Sequence, residues 1–339
     1  MSSIGIPVDI QLTGETSADL IETAIAAEAA GIDRIWSPEL QRSATVPLAV
    51  VAGATERIEL ATGIALAFTR SPLALALEAM DLDELSGGRM VLGLGTGVKR
   101  LNETWHAVDY DPPLQRMREL IDSVNELVAA MAEGRDASSP GEIYDISMVG
   151  FRRTAPAPKS QLPIWIAAML PGMAGVAGER AAGVIDHPIT TPQWIDEVVR
   201  PAMEKGAARA DRAVPQLAGG LICAIDDDID RASRAAALTI GFYATVKTYG
   251  RIFAMHGFED RLRGILEAFL ERDEDGLADA VGREMVDVFA AVGPAVEVRE
   301  RAERDYGGCD RLWATPPHHL QSPDATKHWQ AGIREAFGS

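Results

Sequence analysis

Apolar positions along the chain fall into two alternating patterns: short, nearly continuous runs, and longer stretches in which they recur at helical spacing. A continuous run suits a strand buried on both faces, and strands alternating with helices are what a parallel sheet with crossover connections requires. Ile4 to Leu12 reads as the first strand, and Ala18 to Ala30, started by Ser17 and stopped at Gly31, as the first helix. Asp33 to Ser37 is the second strand, with a helix over Val46 to Thr55; Glu59 to Leu66 is the third, with a helix from Pro72 to Gly87-Gly88. Met90 to Leu94 is the fourth. The rhythm then breaks over residues 134–162, rich in Pro, Gly and Ser, where EIYDISMV reads as a short strand pair and FRRTAPAPKSQLP as an extended connection. It resumes with strands at Ile164 to Ala168, Gly183 to His187 and Leu217 to Ile225, and with helices over Pro171 to Ala182 and Pro192 to Ala210. Residues 228–306 look almost wholly helical, Arg311 to Ala314 forms an eighth strand, and Asp324 to Phe337 a closing helix.

Eight strands with intervening helices predict an α/β chain folded as one (β/α)8 TIM barrel, with insertions at 134–162 and 228–306. An open doubly wound sheet would carry its glycine fingerprint after the first strand; here Gly95-Thr96-Gly97 follows the fourth and has the wrong spacing. The 339 residues, 47% hydrophobic, suit one large core, and the formal charge of -18 argues against nucleic acid or an anionic membrane as partner. Cys223 and Cys309 share no paired spacing, so neither a disulfide framework nor a metal site is expected. With no basic leader before an apolar run and no long apolar stretch, the expectation is a cytoplasmic protein.

In such a barrel the reacting groups stand at the C-terminal ends of the strands. That filter returns Asp9 and Gln11, Glu39, Thr62-Gly63-Ile64, Gly95-Thr96-Gly97, Ala167-Ala168-Met169, Asp186-His187 and His318-His319. The glycines after strand four let backbone amides approach a phosphate, or serve only as a tight turn. Glu39 is a general acid or base if burial raises its pKa, or else a loop carboxylate. His187 is placed to bond a substrate or cofactor edge, or is satisfied by loop backbone. In the helical insertion Tyr243 stands among aromatics that wall a substrate pocket or pack the core, and Lys99, Lys247 and Arg251 are sources of local positive potential.

Four stretches, SGGRMVLGLGTGVK, LATGIALAFTRSP, IWIAAMLPGMAGVAGERAAGVI and FAAVGPAVEVRER, together resemble the luciferase-like monooxygenase superfamily, and within it the oxidoreductases that use the deazaflavin coenzyme F420. The resemblance implies a flavin-type ring at the barrel mouth and a non-prolyl cis peptide at Gly63-Ile64 behind it. It further implies cofactor contacts from Gly95, Thr96, Gly97 and Asn102, and a phosphate turn at Ala167, Ala168, Met169, Leu170 and Pro171. Many deazaflavin enzymes end strand two with an Asp-His pair; here Glu39 keeps the carboxylate and Leu40 removes the imidazole. The expected activity is hydride transfer between coenzyme F420 and a small organic substrate, with Glu39 handling the proton and His187 and Tyr243 on the substrate. The alternatives are an FMN-dependent monooxygenase served by a partner flavin reductase, and a flavin-binding protein without catalysis. The resemblance also implies a homodimer.

Overall fold

Eight parallel strands close on themselves in a computed structural model that describes residues 5–157 and 161–338. Strands β1 (Val8–Gln11), β2 (Arg34–Ser37), β3 (Glu59–Thr62), β4 (Met90–Gly95), β5 (Ile164–Ala167), β6 (Gly183–Ile185), β7 (Gln216–Ile225) and β8 (Arg311–Thr315) pair in sequence order. β8 returns to β1 with Asp9 beside Trp313, which completes the (β/α)8 barrel that the alternation predicts. Helices start where the local chemistry stops the preceding loop. Thr16 and Asp19 form a reciprocal cap on Ser17–Ala29, and Ser71 and Ser322 cap helices whose first residue is proline.

Side chains along each strand alternate between the barrel interior and the helix layer. Inside, toward the N-terminal strand ends, sits a charged plug. The Arg311 guanidinium meets Asp9 with Nη2 2.6 Å from Oδ1, Trp36 Nε1 donates to Asp9 Oδ2 at 3.1 Å, and Arg34 pairs with Glu59 at 2.7 Å. Asp9, expected at the mouth, is therefore a component of this plug: it is the inward residue low on β1, held by two arginines. Above the plug Trp36, Ala61, Val91, Trp165, Ile185 and Ala218 form a closed apolar layer, with Ile64 and Trp313 packed on it. Trp36 and Trp165 meet edge to face at 5.8 Å, and the Arg34 guanidinium lies 4.5 Å from the Trp165 ring centre.

Four expectations need adjustment. Strand one is shorter than Ile4 to Leu12, and Ile4 lies outside the described residues. The third strand is not continuous to Leu66: it breaks after Thr62 at a cis Gly63–Ile64 peptide and resumes as Ala65–Leu66 against β4. In the first insertion EIYDISMV supplies one strand, Ile146–Met148, whose antiparallel partner is Ala137–Ser139; residues 158–160 lie outside the described set. The second insertion is not all helix. Ala290–Gly293 pairs in parallel with the far half of β7, which runs beyond the barrel wall and needs a partner there. No helix among the described residues is long and apolar enough to cross a membrane.

Candidate functional site

The C-terminal strand ends surround a cavity of about 770 Å³ with two unlike sides. On one side, β3, β4 and β5 offer backbone rather than side chains. The cis Gly63–Ile64 step lays the chain directly over Trp36, so that a Cβ on Gly63 would stand 2.6 Å from the Trp36 Cβ. Ile64 faces the cavity as its floor. Beyond β4, Gly97 takes φ +61, where a Cβ would strike Leu66 at 2.6 Å, and this turns Gly95, Thr96 and Gly97 along the cavity wall.

That loop is fixed from behind. Asn102 is fully buried, and its Nδ2 donates to Thr96 O at 2.7 Å and to Val98 O at 3.1 Å. Tyr110 donates its hydroxyl to Thr96 Oγ1 at 3.2 Å and packs edge-on against Phe68. Asn102 thus shapes the loop without itself lining the cavity, and its Oδ1 finds no partner among the described residues. Across the wall, Ala167, Ala168, Met169, Leu170 and Pro171 lead into the helix Pro171–Arg180. No side chain caps that helix, and Gly172 and Met173 at its first turn line the same cavity. Met169 is held in place by a 2.7 Å bond from Trp194 Nε1 to its carbonyl.

Glu39 is placed differently from expectation. Its Oε1 receives Arg70 Nη2 at 2.7 Å, and its Oε2 receives Arg70 Nη1 at 2.9 Å and the Leu66 amide at 2.7 Å. The carboxylate is thereby engaged in a largely buried, two-pronged ion pair that ties the loop after β2 to the segment behind the cis peptide, and Glu39 is not among the residues lining the cavity. The same pairing raises the Arg70 pKa. Leu40, where the resemblance implies a missing histidine, points to solvent, 54% exposed.

The second side comes from β6, β8 and the helical insertion. His187 lines the cavity, and its ring lies 4.5 Å from Tyr249 and 4.6 Å from Tyr243. Burial, with His318 nearby, pushes the His187 pKa down to about 3, so the imidazole is neutral. Tyr243 stands behind His187 rather than on the cavity, its hydroxyl 3.4 Å from His318 Nε2, and burial raises its pKa well above the usual phenol value. His319 stacks on Phe242 at 3.7 Å and is pushed down to about 2 by burial and its histidine neighbours.

Asp186 follows the inward Ile185 and therefore turns toward the helix layer, where Tyr306 and Cys309 lie. Its Oδ1 accepts the His187 amide at 2.8 Å, its Oδ2 has no partner among the described residues, and burial pushes its pKa up to about 7. Lys99 and Arg251 stand at the rim. Trp313 and Tyr110 were absent from the strand-end reading. Trp313 carries a legible signal: it sits between the apolar, helix-facing Leu312 and Ala314, so alternation points it inward.

The arrangement defines a class: (β/α)8 barrels with an open cavity at the mouth, walled by bare backbone on one side and by aromatic side chains on the other. The chain belongs to the luciferase-like monooxygenase family, whose profile matches residues 1–308. It is 29% identical over 290 residues to the 5,10-methylenetetrahydromethanopterin reductase of Archaeoglobus fulgidus, covering 81% of this chain and 82% of that protein. The coenzyme F420-dependent tetrahydromethanopterin reductase of Methanopyrus kandleri has the same fold, with a TM-score of 0.82 at 22% identity over 98% of this chain and 99% of that one. An F420-dependent secondary alcohol dehydrogenase, solved with an F420–acetone adduct, matches with a TM-score of 0.72 at 16% identity over 98% of each chain.

Proposed function

We propose that the protein is a coenzyme F420-dependent oxidoreductase that passes a hydride between the deazaflavin and a small organic substrate. The observation that carries this is the two-sided cavity: bare backbone and an uncapped helix start on one wall, neutral aromatic side chains on the other. Ile64 and the Gly95–Gly97 loop fit a planar ring, and the Gly172 and Met173 amides fit a phosphate. Arg251 at the rim suits the acidic tail of F420 on a chain that is otherwise strongly negative, whereas Lys99, also on the rim, is already paired with Asp111 and Glu103. The names of the M. kandleri reductase and the alcohol dehydrogenase support the deazaflavin over FMN.

When bound, the deazaflavin supplies the carbon that gives or takes hydride. The protein's own contribution is position: Asn102 and Tyr110 set the loop against the ring, and the Glu39–Arg70 pair holds the segment behind it. Glu39 is assigned this positioning role in place of proton transfer, because both carboxylate oxygens are engaged. His187, neutral and on the cavity, is the group placed to bond the substrate's reacting end.

Titration of the purified protein with F420 and, separately, with FMN tests the proposal. Saturable F420 binding with substrate-dependent oxidation of reduced F420 is the expected result. Tight FMN binding, with substrate-dependent oxygen uptake once a flavin reductase is added, would reverse it. F420 binding without turnover of any substrate would favour a binding protein.

A further inference from the structure

We infer that the wall formed by His187, Tyr249 and Trp313 selects a flat, uncharged, conjugated ring that carries a hydrogen-bond-accepting oxygen or ring nitrogen. This rests on the oxidoreductase assignment and names the substrate class of the same cavity.

The His187 and Tyr249 rings stand 4.5 Å apart at 48°, and Tyr243 braces His187 edge-on at 81° from behind. With Ile64 and Ile185 beneath, a planar guest meets aromatic and apolar surface, which favours offset or edge-on stacking.

Fixed charge is kept away from this wall. Lys99 is half-exposed and already paired with Asp111 and Glu103, and Arg251 is exposed at the rim. Asp186 borders the cavity but is itself almost fully buried, with Oδ1 accepting the His187 amide and its carboxyl near Tyr306 and Cys309, and burial holds His187 neutral. A phosphate, carboxylate or sulfonate placed at depth would lose its hydration with no counter-charge to meet it.

One polar demand remains on this wall. The Trp313 indole Nε1 is buried and has no acceptor among the described residues, although Trp313 lines the cavity. A buried donor of this kind favours a guest that brings the acceptor. The equivalent donor lower in the barrel, Trp36 Nε1, is satisfied by Asp9.

The test uses the whole protein loaded with oxidised F420, so that binding is read without turnover, by calorimetric titration with three probes: menadione, a naphthoquinone sulfonate of similar ring size, and methylnaphthalene. Menadione is expected to bind at least about tenfold more tightly than the sulfonate, because the sulfonate must be desolvated unpaired. Trp313→Phe keeps the ring and removes the donor; it should weaken menadione about three- to tenfold and leave methylnaphthalene unchanged. Tyr249→Leu should weaken both neutral rings alike.

Equal or tighter binding of the sulfonate would overturn the inference and mark the cavity as one for anionic substrates. Equal weakening of menadione and methylnaphthalene by Trp313→Phe would overturn the donor role, since packing alone would then explain it. Retained F420 affinity in both variants shows that they are folded. A protein that binds the rings in the expected pattern but fails to bind F420 would sink the cofactor assignment and leave the ring preference standing; F420 binding without the pattern would do the reverse.

Discussion

Replacing Glu39 by Gln separates a positioning role from a catalytic one. The substitution keeps the shape and an acceptor for the Leu66 amide, but removes the charge facing Arg70, whose side chain is 16% exposed. Breaking a fully buried pair costs roughly 3–5 kcal/mol, because the remaining charge is left without a partner. Here Glu78 stays 3.3 Å from Arg70 Nε and takes up part of the guanidinium's demand, and both side chains of the Glu39 pair touch solvent. The expected loss is therefore about 2 kcal/mol, below the fully buried range. Arg70→Met should cost a similar amount, and the double variant little more than either single one, giving a coupling energy of about 1–2 kcal/mol in a double-mutant cycle. Equilibrium unfolding in guanidinium measures all three, and F420 titration of the same proteins should show that cofactor affinity falls in step in both single variants. A general acid lost outright would instead lower kcat about a hundredfold or more. If Glu39→Gln does that with little change in stability, and Arg70→Met does not, Glu39 acts on the substrate directly and the positioning account is wrong.

Asp186 and His187 should give opposite pH slopes. Asp186 has its folded pKa raised from 3.8 to about 7, so wild-type stability falls as pH rises across that window; Asp186→Asn removes the penalty and should gain on wild type up to a ceiling of roughly 4 kcal/mol at pH 8, with no gain at pH 4. His187 has its folded pKa lowered from 6.5 to about 3, so its contribution is complete above pH 6.5 and is lost as pH falls through that interval; His187→Phe should flatten the acid limb of the stability curve seen in urea titrations. Asn102→Leu removes the two bonds to the Thr96 and Val98 carbonyls and should weaken F420 binding at least about tenfold, read by cofactor titration, and unchanged affinity would show that the loop holds its shape alone. Gly97→Val places a branched side chain at φ +61 against Leu66 and should abolish cofactor binding while circular dichroism shows the barrel retained.

The barrel was legible because its strands are buried on both faces and so read as apolar runs, with glycine and proline marking the ends of the helices. Ala290–Gly293 escaped notice because FAAVG continues the apolar spacing of the preceding helix, and its strand character comes from β7 overrunning the barrel, a tertiary fact. The site divided along the same line. Gly63, Gly95 and Gly97 announce themselves because only the absence of a side chain permits their approach. Glu39 did not, since its fate depends on Arg70, 31 positions away, which no local pattern joins to it. Asp9 misled for a related reason: a polar residue near a strand end reads as a mouth residue until Arg311, 302 positions on, is seen to hold it at the opposite end.

That 302-residue separation carries a consequence for how the chain comes to be folded. β1 emerges first during synthesis, yet one of its two edges has no partner until β8, the last strand, is made. For nearly the whole of translation it is an open edge on a growing sheet, the kind of surface that recruits strands from other molecules. Asp9 lies in the middle of that edge strand, with its charge directed toward the unfinished interior. A charge so placed discourages a foreign strand from covering it with apolar side chains; Arg34 on β2 offsets part of it early, and Arg311 completes the pairing when β8 closes the barrel. The plug thus acts as a guard on an incomplete barrel before it becomes the seal of a finished one.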